Sequence, residues 1–235
     1  MAQKMFYVAD DLASGKEAGG PLRAVNEWNF EQLAPFDYSA SSEAAAGLTF
    51  APPDNDAAVG RLARPKVGGF EVFYASPLKK WGLRTTMQNK HIDEDTPLFE
   101  YGGELLEDDD KPVAKDDYIF TFEYQNRHFL LDACRRGNLA RFVNHSCMPN
   151  CYTQLALLQA TTATTGDAGH DVPCGQDAMV PHLMICASRK ILAGEELTLD
   201  YGGAWWDAKR ASEDLHCNCN TVKCRYKKTP IGEAS

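Results

Sequence analysis

The chain has 235 residues, of which 44% are hydrophobic and 24% charged, and its formal net charge is −9. No apolar run is long enough to span a membrane, and the first ten residues lack the order of charges and apolar residues found in a secretory signal. We therefore expect a soluble intracellular protein. The acidic balance argues against a general binder of nucleic-acid phosphates and suits a basic partner.

The first seventy residues are rich in Ala, Gly, Ser and Pro and carry few strand signals. We expect a flexible N-terminus over residues 1–22, followed by a loop-rich region over residues 23–70. Within that region, the aromatic side chains between residues 24 and 38 are candidates for packing onto the main domain.

From residue 70 onward the sequence predicts many short strands separated by turn residues. They lie within residues 70–74, 81–86, 98–105, 118–122, 128–132, 183–187 and 196–201, and the third ends at a turn formed by Gly102 and Gly103. The fourth and fifth of these form a hairpin, and one short helix is expected near residues 138–144. No long amphipathic helix is evident, and residues 153–181 are predicted to be a long structureless insertion. The pattern indicates a mostly β protein of several small sheets.

The eight cysteines are unevenly distributed, since none precedes Cys134 and three lie at Cys217, Cys219 and Cys224. In a chain without a secretory signal, this clustering indicates metal ligands rather than disulfides. Three thiolates are one ligand short of a tetrahedral zinc shell. The candidates for the fourth ligand are Cys147, Cys151 and His216.

Five short motifs follow one another between Glu71 and Lys227. In chain order they are Lys80-Trp81-Gly82, Glu100-Tyr101-Gly102-Gly103-Glu104, Gly137 to Asn150 with Arg141-Phe142-Val143-Asn144-His145-Ser146-Cys147 at its centre, Gly194-Glu195-Glu196 to Tyr201, and the cysteine tail. In this order they resemble the SET-domain lysine methyltransferases. The resemblance implies the SET fold, S-adenosylmethionine as methyl donor and a protein lysine as acceptor. It also implies a knot-like threading of the Asn144-His145 segment and the Asp200-Tyr201 segment, which is rare among proteins.

Trp205-Trp206-Asp207 and the cysteine tail are similar to the heterochromatin-type branch, which methylates lysine 9 of histone H3. Residues 25–27 and 35–38 resemble the start of that branch's pre-SET region. The pre-SET region of the branch holds nine cysteines around three zinc ions, whereas this chain has no cysteine there. The implied division is a flexible N-terminus (1–22), a degenerate pre-SET-like region (23–70), a SET domain (71–208, with the 153–181 insertion), a post-SET zinc segment (209–228) and a tail (229–235).

The resemblance also implies roles for individual residues. Tyr201 is the expected catalytic tyrosine, and Tyr101 is a second tyrosine of the lysine channel. The channel walls are expected at Phe120, Leu199 and Trp205. The expected donor contacts are Lys80, Trp81, Gly82, Tyr118, Arg141, Asn144 and His145. The resemblance selects Cys147 as the ligand that completes a structural zinc site with Cys217, Cys219 and Cys224.

Leu199 stands where family members carry Phe or Tyr, two residues before the expected catalytic tyrosine. Because leucine is smaller and has no hydroxyl, we expect room for di- or trimethylation. The expected substrate is a histone H3 tail, with lysine 9 as the first candidate, which implies a nuclear location. Another histone H3 lysine, a non-histone lysine, and a catalytically silent SET module that binds chromatin are the alternatives. No membrane and no direct nucleic-acid contact are expected.

Overall fold

The computed structural model describes residues 7–17, 21–27, 32–45, 48, 50, 60–61, 67–108, 118–159, 179–213 and 215–228. In chain order the strands of this part are β1 (Tyr7–Ala9), β2 (Arg23–Asn26), β3 (Asp37–Tyr38), β4 (Glu43–Ala44), β5 (Gly60–Arg61), β6 (Phe70–Ser76), β7 (Lys80–Thr85), β8 (His91–Ile92), β9 (Pro97–Glu100), β10 (Glu104–Glu107), β11 (Ile119–Tyr124), β12 (Arg127–Asp132), β13 (Arg136–Gly137), β14 (Asn144–His145), β15 (Cys151–Gln159), β16 (Met179–Ala187), β17 (Ile191–Leu192) and β18 (Thr198–Leu199). A 3-10 helix covers Leu139–Phe142, and an α-helix, α1, covers Gly203–Glu213.

The strands form small sheets, as the turn-rich sequence predicts. Three sheets have four strands each, in the orders β1-β2-β6-β7, β11-β12-β10-β4 and β5-β15-β16-β9. Two-stranded ladders join β13 to β3, β14 to β18 and β17 to β8. One large apolar cluster lies among these sheets, with Leu83, Phe129 and Ile185 fully buried within it. The expected mostly β architecture is confirmed, and none of the described helices is long and apolar enough to cross a membrane.

The predicted hairpin is present as β11 and β12, which pair in antiparallel register. Its two turn residues, Gln125 and Asn126, both have left-handed backbone angles, with φ of 52° and 56°. Such a pair is typical of the two-residue turns that match the twist of a hairpin. The 3-10 helix at Leu139–Phe142 likewise lies where a short helix was expected, and Asn138 caps its start by accepting a hydrogen bond from the Ala140 backbone.

The strand predicted to end at the Gly102-Gly103 turn is present as β9, and the chain changes sheet at these two glycines. Here β9 ends in one sheet and β10 begins in another. A Cβ added to Gly103 would lie 2.6 Å from the backbone oxygen of Asp132. The close approach of two backbones therefore requires glycine at this crossing.

The insertion predicted over residues 153–181 is shorter than expected on both sides. Strand β15 continues to Gln159, and β16 already begins at Met179, so the two form a nine-residue antiparallel ladder. Ala156, Leu157 and Leu158 are buried by this pairing, which explains why a stretch expected to be a loop is a strand. Residues 160–178 of the predicted insertion lie outside the described residues.

Helix α1 has no counterpart among the predicted elements. Its buried residues are Trp206 and Lys209, one turn apart. A lysine in place of a second apolar residue removes the repeat by which an amphipathic helix is recognised. The helix starts directly after the left-handed Gly202, with φ of 85°.

Residues 7–17 and 21–27 of the N-terminal part pair with and pack onto the rest of the fold. Strand β1 pairs with β2, which in turn runs parallel to β6. The carboxylate of Asp11 accepts backbone hydrogen bonds from Ala13, Gly15 and Leu22, at 3.0, 2.7 and 3.0 Å. Ala13 and Leu22 are buried in the core. Residues 1–6 and 18–20 lie outside the described part.

The pre-SET-like region is attached to the main domain by two parallel ladders. Strand β3 pairs with β13, and β4 pairs with β10. Ser42 adds a backbone hydrogen bond to the Glu100 carboxylate and a side-chain bond of 3.0 Å to the Tyr101 backbone oxygen. This region therefore packs onto the sheets through backbone pairing, without cysteine ligands.

Candidate active site

The two segments expected to thread past each other lie side by side. Asn144 pairs with Thr198 and His145 with Leu199, in a short parallel ladder. Asn150 ties the same segments together: its Oδ1 accepts a hydrogen bond of 2.8 Å from the Thr198 backbone, and its Nδ2 donates one of 2.9 Å to the Glu196 backbone oxygen. These bonds bring a motif near residue 145 to one near residue 200.

Asn144 connects this ladder to the motif around Gly82. Its Nδ2 donates to the backbone oxygen of Trp81 at 3.2 Å and to a Glu196 carboxylate oxygen at 3.0 Å. The other Glu196 oxygen is 2.9 Å from the Lys79 ammonium. A Cβ on Gly82 would lie 2.9 Å from Asn144 Nδ2, so glycine is needed for Asn144 to approach the strand. Three of the sequence motifs thus meet at one asparagine.

Trp81 and Lys80 differ in how they relate to this meeting point. The Trp81 ring is nearly buried and packs edge-on against Tyr74, with 5.6 Å between ring centroids. Trp81 contacts Asn144 through its backbone oxygen. Lys80 is exposed at the start of β7, with a left-handed φ of 60°.

Both ring nitrogens of His145 are engaged. The Tyr201 backbone N–H donates to Nδ1 at 3.2 Å, and Nε2 lies 3.3 Å from the Cys147 sulfur. Because Nδ1 is an acceptor, the proton of the neutral ring is on Nε2, directed at that sulfur. Burial is the main reason that the pKa of His145 falls to about 4, and the nearby Arg225 and Lys79 cations lower it further, against the opposing effect of Asp200. His145 is therefore a neutral link between Tyr201 and Cys147.

The two tyrosines expected in the channel are both held by backbone carbonyls. The Tyr201 hydroxyl donates to the Val143 oxygen at 2.8 Å, and the Tyr101 hydroxyl donates to the Tyr118 oxygen at 3.1 Å. Burial raises the pKa of Tyr101 well above its usual value, the neighbouring Tyr201 raises it further, and Arg141 opposes both. The Tyr101 phenol therefore keeps its proton at neutral pH and can act as a hydrogen-bond donor.

Aromatic side chains surround these tyrosines. The rings of Tyr101 and Phe120 are 4.7 Å apart, and those of Tyr201 and Trp205 are 4.9 Å apart, both edge-on. Leu199 is buried, at 2% exposure. Each residue expected to line the channel is thus in contact with one of the tyrosines or in the strand that leads to Tyr201.

Tyr226 belongs to the same aromatic group, although no sequence signal pointed to it. Its ring stacks on Trp206 at 5.0 Å and 14°, and Trp206 in turn meets His145 edge-on at 4.9 Å. Tyr226 lies two residues beyond Cys224, and no other aromatic residue near it in the sequence forms a strand or helix pattern that would mark it as packed. It brings the cysteine tail into contact with helix α1.

Arg141 is held between two aromatic faces. Its guanidinium carbon lies 4.2 Å from the Phe36 ring centroid and 4.3 Å from that of Tyr118. Its Nη2 donates a long hydrogen bond, 3.4 Å, to the Cys134 backbone oxygen. Tyr118 and Arg141 were both expected here, whereas Phe36 was not.

The four cysteines chosen from the resemblance form one cluster. The sulfurs of Cys147, Cys217, Cys219 and Cys224 all lie within 4.8 Å of one another. Neither Cys151 nor His216, the other candidates for the fourth ligand, belongs to the group. Cys147 therefore meets a tail that lies some seventy residues further along the chain.

Backbone N–H groups point at the sulfurs of this cluster. Arg225 donates to Cys147 Sγ at 3.3 Å, and Cys219 donates to Cys217 Sγ at 3.4 Å. Burial disfavours the Cys219 thiolate, but hydrogen bonds from Thr221 and from backbone groups outweigh it and lower the pKa to about 6. Burial raises the pKa of Cys217. Because the sulfurs share one cluster, a bound cation would favour the thiolate form of all four. Four sulfurs at this spacing match the donor set of a closed zinc site.

Comparisons with known proteins agree with these features. A family model described as SET domain matches residues 80–202. Histone-lysine N-methyltransferase EHMT1 of Homo sapiens is 30% identical over 155 residues, which are 65% of this chain and 10% of that protein. The H3 lysine-9 specific histone-lysine N-methyltransferase SUVH5 of Arabidopsis thaliana is 30% identical over 149 residues, 61% of this chain and 16% of the relative. The chain thus spans less than a fifth of the length of these two relatives.

Solved structures share the fold at lower identity. Arabidopsis thaliana SUVH6, crystallised in complex with SAM, has a TM-score of 0.65 and 22% identity, over 95% of this chain and 56% of that one. KRYPTONITE, crystallised with mCHH DNA, an H3(1-15) peptide and SAH, has a TM-score of 0.64 and 21% identity, over 96% of this chain and 54% of that one. These likenesses extend beyond the matched residues 80–202 into the N-terminal strands.

Proposed function

The chain belongs to the SET-domain family, and from that premise we propose that it is a protein-lysine N-methyltransferase that uses S-adenosylmethionine. The proposed substrate is a histone tail, with lysine 9 of histone H3 as the first candidate. The names of the relatives, both histone-lysine methyltransferases, support this choice, and so does the net charge of −9, which suits a basic peptide. The proposed location, the nucleus, follows from the substrate.

One observation carries the proposal, namely the position of Tyr201 at the meeting point of distant segments. Its backbone N–H is bonded to His145 and its hydroxyl to the Val143 oxygen. The bond to the Val143 carbonyl fixes the position of the Tyr201 hydroxyl, and we propose that the hydroxyl orients an incoming amine from there. This is the arrangement expected of a group that orients a nucleophile.

S-adenosylmethionine, when bound, supplies a methyl group on a positively charged sulfur. The methyl group would pass from that sulfur to the lysine nitrogen, and the lysine must first lose a proton to solvent because an ammonium nitrogen has no lone pair. An apolar, aromatic channel of Tyr101, Phe120 and Trp205 lowers the pKa of the amine by removing it from water. The same ring faces attract the methylated ammonium product. The contribution of the protein is alignment and electrostatics, with no covalent intermediate on the enzyme.

The proposed donor site lies around Asn144, beside Trp81 and Gly82. The Asn144 amide nitrogen is engaged by Trp81 and Glu196, which leaves its Oδ1 to accept a hydrogen bond from the ammonium group of the donor. His145 has both ring nitrogens engaged, so it acts by positioning Tyr201. Lys80, Tyr118 and Arg141 are the further proposed contacts, and Arg141 carries a permanent positive charge.

The four-cysteine cluster is the proposed site of a structural zinc ion. The donor set fits, since four cysteine ligands without an open position are typical of structural zinc. Metal binding would fix the tail that carries Tyr226 and hold that ring against Trp206. His145 contacts the Cys147 sulfur through Nε2 and the Tyr201 backbone N–H through Nδ1. Metal binding at Cys147 is therefore coupled to the position of Tyr201.

Di- or trimethylation is the proposed outcome of transfer. Leu199 is buried two residues before Tyr201 and has no hydroxyl that could hold a water or the amine. A smaller side chain there leaves space for an amine that already carries one or two methyl groups.

The test is incubation of the purified, zinc-loaded chain with S-adenosylmethionine and histone octamers or H3 tail peptides. Mass spectrometry of the products would identify the modified lysine and its methylation state together. We expect Tyr201→Phe to lower kcat by about 100-fold or more, as when a catalytic hydrogen-bonding group is lost. Tyr152→Phe is the matched control, because Tyr152 bonds to Asp95 away from the site. No methyl incorporation in any histone by the unaltered chain would refute the proposal.

A further inference from the structure

Phe36 lies outside the residues that match the SET family, yet it contacts a residue of the proposed donor site. It precedes strand β3, and the Asp37 and Ser39 backbones flanking that strand donate to the oxygens of Arg135 and Gly137 at 2.9 and 2.8 Å. These bonds hold the Phe36 ring over the Arg141 guanidinium, 4.2 Å from its carbon. The pre-SET-like region, which contains no cysteine, thereby reaches the site.

Arg141 is held differently from Arg84, Arg127 and Arg189. Arg84, Arg127 and Arg189 each form an ion pair with a glutamate. Arg141 forms no ion pair with a described residue, and its buried Nε finds no acceptor among them. With one long hydrogen bond of 3.4 Å to Cys134, its position depends mainly on the nearby ring faces of Phe36 and Tyr118, with the Phe142 ring further away at 5.6 Å. Its positive charge is consequently not neutralised by a carboxylate of the described chain.

The charge of Arg141 acts on Tyr101, one of the two tyrosines of the proposed channel. It is one of the groups that act on the ionisation of Tyr101, where it opposes the effect of burial. Its second stacking partner, Tyr118, supplies the backbone oxygen that binds the Tyr101 hydroxyl. A shift of Arg141 would therefore change both its contact with the donor and the surroundings of Tyr101 in the channel.

We propose that Phe36 is a positioning residue for donor binding, which clamps Arg141 against Tyr118 so that the guanidinium can bind the carboxylate of the methyl donor. This inference rests on the proposed function, in which Arg141 contacts the donor. Stacking of an aromatic face on a partly buried guanidinium is strong enough to decide where the side chain sits. The segment before β3 thus holds Arg141 of the donor site in position through Phe36, although this region has no cysteine.

The test compares Phe36→Leu with a matched variant, Phe50→Leu. Phe50 is another half-buried phenylalanine of the N-terminal region under an arginine, 5.9 Å from Arg127, but it packs against Tyr124 and Phe129 rather than the site. The Kd of S-adenosylhomocysteine is measured by calorimetry for each variant, with Tm as a check on folding. Phe36→Leu removes the stacking of a ring on Arg141, and we expect the Kd to rise roughly tenfold. A factor of ten in Kd corresponds to about 1.4 kcal/mol. Phe50→Leu should lower Tm to a similar extent and leave Kd unchanged.

Two further variants identify the route of the effect. Phe36→Tyr keeps the ring face and should bind S-adenosylhomocysteine within about twofold of the unaltered chain. In an Arg141→Ala background, Phe36→Leu should have no further effect on Kd, because its influence passes through Arg141. Equal Kd values for Phe36→Leu and Phe50→Leu would overturn the inference, as would an undiminished effect of Phe36→Leu without Arg141. An unaltered chain that binds no S-adenosylhomocysteine would instead contradict the proposed function itself.

Discussion

Replacement of Gly82 by alanine tests whether the site is as closely packed as its distances indicate. The added Cβ would lie 2.9 Å from Asn144 Nδ2, 3.0 Å from a ring carbon of Phe73 and 3.1 Å from a Glu196 carboxylate oxygen. All three distances are shorter than ordinary van der Waals contacts. Asn144 and Glu196 are bonded to each other, and Glu196 is also bonded to Lys79. Neither side chain can therefore move away without stretching a hydrogen bond.

The expected cost follows from these contacts. Insertion of one methyl group into a filled space destabilises a protein by about 1–3 kcal/mol, and we expect about 2 kcal/mol for Gly82→Ala. For a domain of this size, that corresponds to a fall in Tm of roughly 4–8 °C. Because Asn144 would be displaced, the affinity for S-adenosylhomocysteine should fall as well, by about tenfold or more if one hydrogen bond is lost.

Gly203→Ala is the matched control for this change. A Cβ at Gly203 would meet only the Tyr226 hydroxyl at 3.8 Å, an ordinary contact, and the residue begins helix α1. Alanine there should leave the unfolding free energy unchanged or raise it by up to about 1 kcal/mol. Urea unfolding of both variants, zinc-loaded, gives the comparison. A Gly82→Ala protein as stable as Gly203→Ala would refute the close packing that we infer at Asn144.

Three other outcomes are expected. Removal of zinc by a chelator should release about one ion per chain and abolish methyl transfer. Tryptophan fluorescence should change as Tyr226 leaves Trp206. Full activity of a metal-free chain would rule out the coupling of zinc binding to the position of Tyr201. Leu199→Tyr should shift the products toward monomethyl-lysine by mass spectrometry, whereas Leu199→Met should not, and monomethyl product alone from the unaltered chain would contradict the reasoning. Asp11→Asn should destabilise the fold at pH 7 and progressively less as pH falls below 3.8. Backbone hydrogen bonds, that of Leu22 first, lower the pKa of Asp11 below 3.8, so its stabilisation is complete above that value and is lost as pH falls through the lowered pKa. Unfolding curves whose difference stays the same at every pH would count against this role.

Local chemistry is what the sequence by itself determined. The motifs indicate the family, three closely spaced cysteines indicate a metal site, and the predicted strands at residues 118–122 and 128–132 indicate the β11–β12 hairpin. Each single motif, cysteine group or strand spans only a few residues along the chain. Neighbouring residues restrict one another's backbone angles and ligand geometry directly, so such features can be recognised before the chain is folded.

Only the tertiary structure decided which distant segments meet. It sets Phe36 over Arg141 and Tyr226 over Trp206, and it brings Cys147, which the family resemblance had selected, to the three tail cysteines. It also extends β15 and β16 into a stretch that reads as a loop. These contacts join residues from 20 to more than 100 positions apart. Their formation depends on how the sheets pack and close the chain, which no local pattern of residues encodes.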